Sequence, residues 1–272
     1  MNGGDLKKPL VFYVIALALA VAVAMAAPII GEASPLVTMF TPAIAAAIML
    51  GLVAREGGFR DAIDKLGLTT AGLKGWPLAI GGPALIHVAG LLILVGAGLT
   101  ALVVPEIAGS AFQSAFKIFA GFFIGTFFAM CEEVGWRGYM LPRMKGVGIV
   151  AAMLIVGLLH GIWHLPILLT TDYYHSTGNP WIVTPLFLIT LTLAGVFYGY
   201  LRIWTGSVWP VAIAHAAANM AWEISSEVNQ TQSPIVLEYV GGESGAIMIS
   251  GLLFFDVLLI MGLKNLEEKR AA

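Results

Sequence analysis

The chain has 272 residues, 59% of them hydrophobic and 11% charged, against about 45–50% apolar and about 25% charged in soluble domains, which excludes a soluble globular fold. Fourteen Lys and Arg face sixteen Asp and Glu for a net charge of −2, which provides no basic surface and argues against a nucleic-acid partner. A single cysteine, Cys131, excludes an intrachain disulfide and a Cys-only metal cluster.

A membrane-spanning helix takes about 20 apolar residues. Eight apolar stretches, each bounded by Pro, Gly or charge, lie near 10–30, 35–54, 78–104, 118–141, 148–170, 181–201, 207–222 and 244–263. They predict an all-α polytopic membrane protein, one membrane-embedded domain over 1–272 built as a bundle of about eight transmembrane helices. The first stretch is too long for a signal-peptide core and is read as a retained helix. The seventh is short and needs burial by its neighbours or a thin bilayer. Between spans, 55–77 mixes charge with apolar residues and predicts an interfacial helix, while 223–243 reads as an irregular loop containing the acceptor pattern Asn229-Gln230-Thr231.

Cytoplasmic loops are enriched in Lys and Arg. With the N-terminus inside, the inner segments hold Lys7, Lys8, Arg55, Arg60, Lys65, Lys74, Arg143, Lys145, Arg202, Lys264, Lys269 and Arg270. The outer segments hold Glu32, Glu106, Asp172, Glu223, Glu227, Glu238 and Glu243, with Lys117 at the outer end of the fourth span. Both termini are therefore expected in the cytoplasm, in the plasma membrane if the source is prokaryotic.

Ionisable groups inside a span cost about 2.5–3.5 kcal/mol on insertion scales, so they face the bundle interior and mark function. The fourth span carries Glu132-Glu133-x-x-x-Arg137. Glu133 and Arg137 are one turn apart and predict an ion pair, whereas Glu132 points about 100° away and is left to do chemistry. The fifth span carries His160 and His164, and the seventh His215 and Asn219, again at one-turn spacing. Gly121 with Gly125, Gly157 with Gly161 and Gly195 with Gly199 would let helices approach closely. Counted at about 1.5 Å per residue, Glu132 and His215 lie roughly 13 and 12 Å from the inner ends of their spans but His164 roughly 24 Å, so the fifth span is expected to tilt or to start below the membrane surface.

Three ordered motifs on separate apolar helices, Glu132-Glu133-x-x-x-Arg137-Gly138, Trp163-His164-x-Pro166 and His215-x-x-x-Asn219, resemble the CPBP family of intramembrane proteases, which includes the type II CAAX prenyl endopeptidases and relatives linked to bacteriocin immunity. The resemblance covers about residues 118–222. It implies that Glu132 and His164 activate water, that His215 and Asn219 stabilise the oxyanion, and that Glu133 and Arg137 support the site. His160 stands where the family usually has Phe, so it is read as an accessory or a packing substitute. No cofactor is expected. The alternative is a zinc site on His160, His164 and Glu132, since the two histidines have the spacing of a zinc-binding helix although Gly161 replaces the glutamate of His-Glu-x-x-His.

The expected activity is that of a glutamate-dependent intramembrane endopeptidase whose site opens toward the cytoplasm. Its partners would be membrane lipid and a membrane-associated, in one version prenylated, protein or peptide substrate. A proton-coupled transporter and a non-catalytic immunity-type membrane protein are the rival readings. His87, His175 and Asp256 receive no role, and Tyr173, Tyr174, Trp181, Trp204 and Trp209 fit an interfacial belt.

Overall fold

In the computed structural model, residues 6–53, 58–103, 111–171, 178–231 and 233–271 are described. Arg55, Glu106, Asp172, Tyr173, Tyr174 and His175 lie outside the described residues, as do the side chains of Lys264, Lys269 and Arg270. The described chain is almost wholly helical. In order come α1 (Lys7–Ile30), α2 (Ser34–Met39), α3 (Thr41–Ile48), α4 (Phe59–Leu66) and α5 (Trp76–Gly96), followed by β1 (Thr100–Leu102) and α6 (Ala111–Glu133). The second half holds α7 (Leu141–Met144), α8 (Ile149–Thr170), α9 (Pro180–Thr205), α10 (Trp209–Val228), β2 (Asn229–Thr231), α11 (Pro234–Val236) and α12 (Ala246–Ala271).

Six helices are long and apolar enough to cross a membrane: Lys7–Met39, Leu73–Gly96, Phe112–Val147, Ile149–Thr170, Pro180–Thr205 and Glu238–Leu263. The chain is an integral membrane protein. Two of the eight expected spans take other forms. The stretch 35–54 divides near Pro35 and Pro42, with α2 continuing the first helix and Thr41–Val53 forming a shorter apolar one. The seventh becomes α10, twenty residues long, which is lined by protein where the others meet lipid: every residue from Pro210 to Ala217 is buried. Its far end carries Glu223 and Glu227. Of the connections, α4 is the helix expected after the second apolar stretch, with Phe59 exposed and Leu66 buried. The loop expected at 223–243 instead contributes β2, which pairs antiparallel with β1.

Glycine sets the closest helix contact. A Cβ on Gly157 would lie 2.6 Å from the Leu191 carbonyl oxygen, and one on Gly195 would lie 2.6 Å from the Gly157 Cα. Gly161 and Gly199 continue the same α8–α9 seam, as small-residue spacing predicts. Gly121 and Gly125 face α10 with room to spare, nearest atoms at 3.9 Å, so that pair does not set an approach.

A cluster of large rings fills the middle of the bundle. Phe12 of α1 meets Trp136 at 5.5 Å and Tyr139 at 5.1 Å, and Trp136 meets Trp163 of α8 at 5.7 Å between centroids. Trp163 Nε1–H donates to Thr41 Oγ1 at 3.0 Å, which satisfies the one polar atom of a fully buried indole.

Candidate active site

The helix that carries the paired glutamates does not stop at residue 141. After α6 it makes a π-helical turn over Val134–Met140, then α7, then a tight turn ending at Gly148, whose φ is +97°. Pro142 accounts for the irregularity, because it has no N–H to bond the carbonyl four residues back. Gly135 lets Pro42 of α3 press against this turn; a Cβ there would sit 2.5 Å from the Pro42 Cβ.

The hairpin also resolves the depth mismatch. Glu132 lies sixteen residues before Gly148 and His164 sixteen after it, so the two arms bring both groups to one level, roughly 24 Å from the turn on a 1.5 Å rise. The earlier count ended the fourth span too soon. His215 reaches that level from a shallower start because the α9–α10 turn is recessed. Residues 66–72 fill the space beneath it: Gly67 O accepts from Val208 N–H at 3.1 Å, Leu68 O from Trp209 Nε1–H at 3.1 Å, and Thr70 O from the Ser207 hydroxyl. Arg202 ties this plug to the hairpin, donating from Nε to Arg137 O at 3.2 Å and from Nη2 to Lys65 O at 3.1 Å.

The two carboxylates point into different surroundings. Glu133 receives Arg137 Nη1 at 3.0 Å on each oxygen, and His215 Nδ1 lies 2.9 Å from its Oε1. Glu133, Arg137 and His160 are fully buried, and the Arg137 guanidinium lies over the Tyr198 ring at 5.0 Å. The expected ion pair is present.

Glu132 is not the free carboxylate expected from helical spacing. His160 Nε2 lies 2.7 Å from its Oε2, whereas His164 Nε2 lies 3.9 Å from the same atom. His160 Nδ1 in turn sits 3.2 Å from Arg137 Nη1. Since arginine only donates, Nδ1 must accept, so a neutral His160 carries its hydrogen on Nε2 and donates it to Glu132. Its ring stacks on Trp136 at 5.2 Å. His160 therefore adds a wire, Glu133 to Arg137 to His160 to Glu132, joining the two acids through charge-assisted contacts.

Glu132, His164, His215 and Asn219 line one cavity of about 90 Å³. That is room for a few waters, since one water occupies about 30 Å³. Trp163, Ile167, Phe187 and Leu191 form its apolar wall, with Pro35, Leu36, Thr38 and Met39 of α2 and Glu243 at its rim. Asn219 is exposed and lies a turn beyond His215. Spacing did not flag Glu243, which stands on a connection far from the motifs. Nor did it flag Tyr198, whose ring stacks on His215 at 5.6 Å and 19°.

Zinc would need Glu132, His160 and His164, whose donor atoms all lie within 4.8 Å of one another. Tetrahedral zinc with bonds of about 2.0–2.2 Å holds its ligand atoms roughly 3.3 Å or more apart. The 2.7 Å contact is a hydrogen bond, and its hydrogen occupies the Nε2 lone-pair position a metal would use. The trio does not fit a zinc ion as it is arranged.

Residues 114–221 match the family model of Rce1-like type II CAAX prenyl endopeptidases. The matched segment covers the whole of the fourth, fifth and sixth apolar stretches and all but the last turns of α10. No curated protein matches the chain. The match supports a protease role and a membrane-associated protein substrate. It contains all seven residues singled out from the sequence and omits Glu243 and the α2 rim.

Proposed function

We propose that the protein is a glutamate-dependent intramembrane endopeptidase. The observation that carries this reading is the shared cavity: a carboxylate, two imidazoles and an amide from α6, α8 and α10 face one volume of about 90 Å³. Between Glu132 Oε2 and His164 Nε2, 3.9 Å apart, a water fits with hydrogen bonds to both, as is usual for polar contacts beyond about 3.5 Å. Glu132 accepts the proton as that water attacks the scissile carbonyl, and returns it to the leaving amine as the C–N bond breaks. His160 holds the carboxylate in place by donating its Nε2–H to Oε2.

Glu133 fixes His215 through Nδ1 at 2.9 Å, which leaves Nε2 for the reacting carbonyl or for the leaving amine. The Asn219 amide donates whatever the state of that ring. An oxyanion donor of this kind contributes about 2.7–4 kcal/mol to the transition state. Substrate is a membrane-associated polypeptide, and a prenylated chain cut near its C-terminus is the version the Rce1-like match favours. A proton-coupled carrier would use the same groups as a relay, but the wire from Glu132 runs through buried Arg137 and Glu133 back to His215 in the same cavity rather than crossing the bundle.

Two measurements test the reading. Purified protein is expected to cleave members of a quenched prenyl-peptide panel, with cleavage lost in His164→Ala; proton uptake coupled to an intact substrate, with no cleavage, would instead establish the carrier. Chelator treatment is expected to leave the rate unchanged, and elemental analysis to find no stoichiometric zinc. Loss of activity on chelation with recovery on zinc addition removes the metal-free mechanism.

A further inference from the structure

The side of the membrane on which this cavity opens follows from its lining and from the charges at the two ends of the bundle. Its floor is closed. Glu133, Arg137, His160 and Trp136 beneath it are all fully buried, and below them the 66–72 plug and Arg202 seal the recessed α9–α10 turn. Its rim is α2, the outer halves of α8 and α9, and Glu243 ahead of α12. From His164, six residues of α8 remain to Thr170, against fifteen back to Ile149, so the site lies nearer the Thr170 end.

That end is the one remote from Lys7. Phe12, one turn into α1, packs on Trp136 and Tyr139, which places the start of α1 beside α7 and the Gly148 turn. The exposed cations Lys7, Lys8, Lys74 and Lys145 gather there. At the cavity end stand Glu32, Glu223, Glu227, Glu238 and Glu243, and among the described residues Lys117 is its only Lys or Arg. Basic loops stay in the cytoplasm. The opening expected from the sequence, toward the cytoplasm, is therefore at odds with the geometry.

We infer that the cavity opens at the extracytoplasmic face, and that its substrate is a lipid-anchored or membrane-inserted polypeptide cut where it emerges in the outer leaflet. The lining agrees with an internal cleavage site. Among the described residues no Lys or Arg lines the cavity, and two carboxylates do, so it offers no Lys or Arg partner to the free C-terminal carboxylate of a short leaving peptide. The substrate half of this inference rests on the peptidase reading; the orientation half does not.

Full-length protein in a bacterial plasma membrane, with Cys131→Ser as background, tests both halves. Glu32→Cys and Lys145→Cys report the two ends through a membrane-impermeant maleimide. In intact cells Glu32→Cys is expected to label and Lys145→Cys to label only after lysis; the reverse pattern overturns the orientation. Spheroplasts are then given an N-palmitoylated, internally quenched peptide from outside. Cleavage by the wild type and not by Glu132→Gln supports the substrate class. Cleavage only after permeabilisation overturns it while leaving the peptidase intact. No cleavage under either condition overturns the peptidase reading, and the labelling still decides the side.

Discussion

Replacing Glu132 by Gln is expected to lower the hydrolysis rate by about 10²–10⁴-fold, the range that a positioned general base contributes, with little change in thermal stability. The expectation follows from what each atom does. The glutamine carbonyl oxygen can still accept the His160 Nε2–H that Glu132 Oε2 now receives at 2.7 Å, so the wall of the cavity keeps its shape. What disappears is the lone pair basic enough to take a proton from water. Initial rates on a quenched peptide, beside a melting curve in detergent, separate chemistry from folding. A variant retaining more than a tenth of the wild-type rate shows that Glu132 is structural.

Arg137→Met should do the opposite, removing stability first and activity as a result. Arg137 is fully buried, and one of its nitrogens serves both Glu133 oxygens at 3.0 Å and His160 Nδ1 at 3.2 Å. Taking away one partner of a buried ion pair leaves an uncompensated charge, at a cost of about 3–5 kcal/mol. The diagnostic is the double variant Arg137→Met with Glu133→Leu. Because a buried pair replaced by apolar groups is often neutral, the double variant is expected to regain most of the melting temperature without regaining activity, since His215 has lost its anchor. If the single variant melts like the wild type, the pair does not hold the helices.

Much of this arrangement was legible in the sequence, and the limits have physical causes. Apolar length gives the spanning helices because lipid forces the backbone to satisfy itself. The one-turn spacings gave the Glu133–Arg137 pair and placed both histidines of α8 on one face. Three features were hidden. A helix that runs through a π turn to residue 147 looks shorter in hydropathy than it is, so His164 seemed too deep. The partner of Glu132 depended on a rotamer: spacing put no group beside it, yet His160 reaches it from another helix. Glu243 and the α2 rim meet the site through tertiary folding alone. The apolar stretch at 207–222 gave no sign that α10 would be walled by protein rather than lipid, which its burial from Pro210 to Ala217 shows.

The matched arms on either side of Gly148 make the hairpin a gauge. Adding or deleting one residue anywhere between Glu132 and the turn, or between the turn and His164, swings one side chain by about 100° and shifts it by about 1.5 Å, breaking the alignment of acid and imidazole. Extra length placed in the exposed turn itself changes neither arm. The distance between water-activating groups is thus encoded as a count of peptide units, held constant from one end of a rigid fork whose tips never touch in sequence.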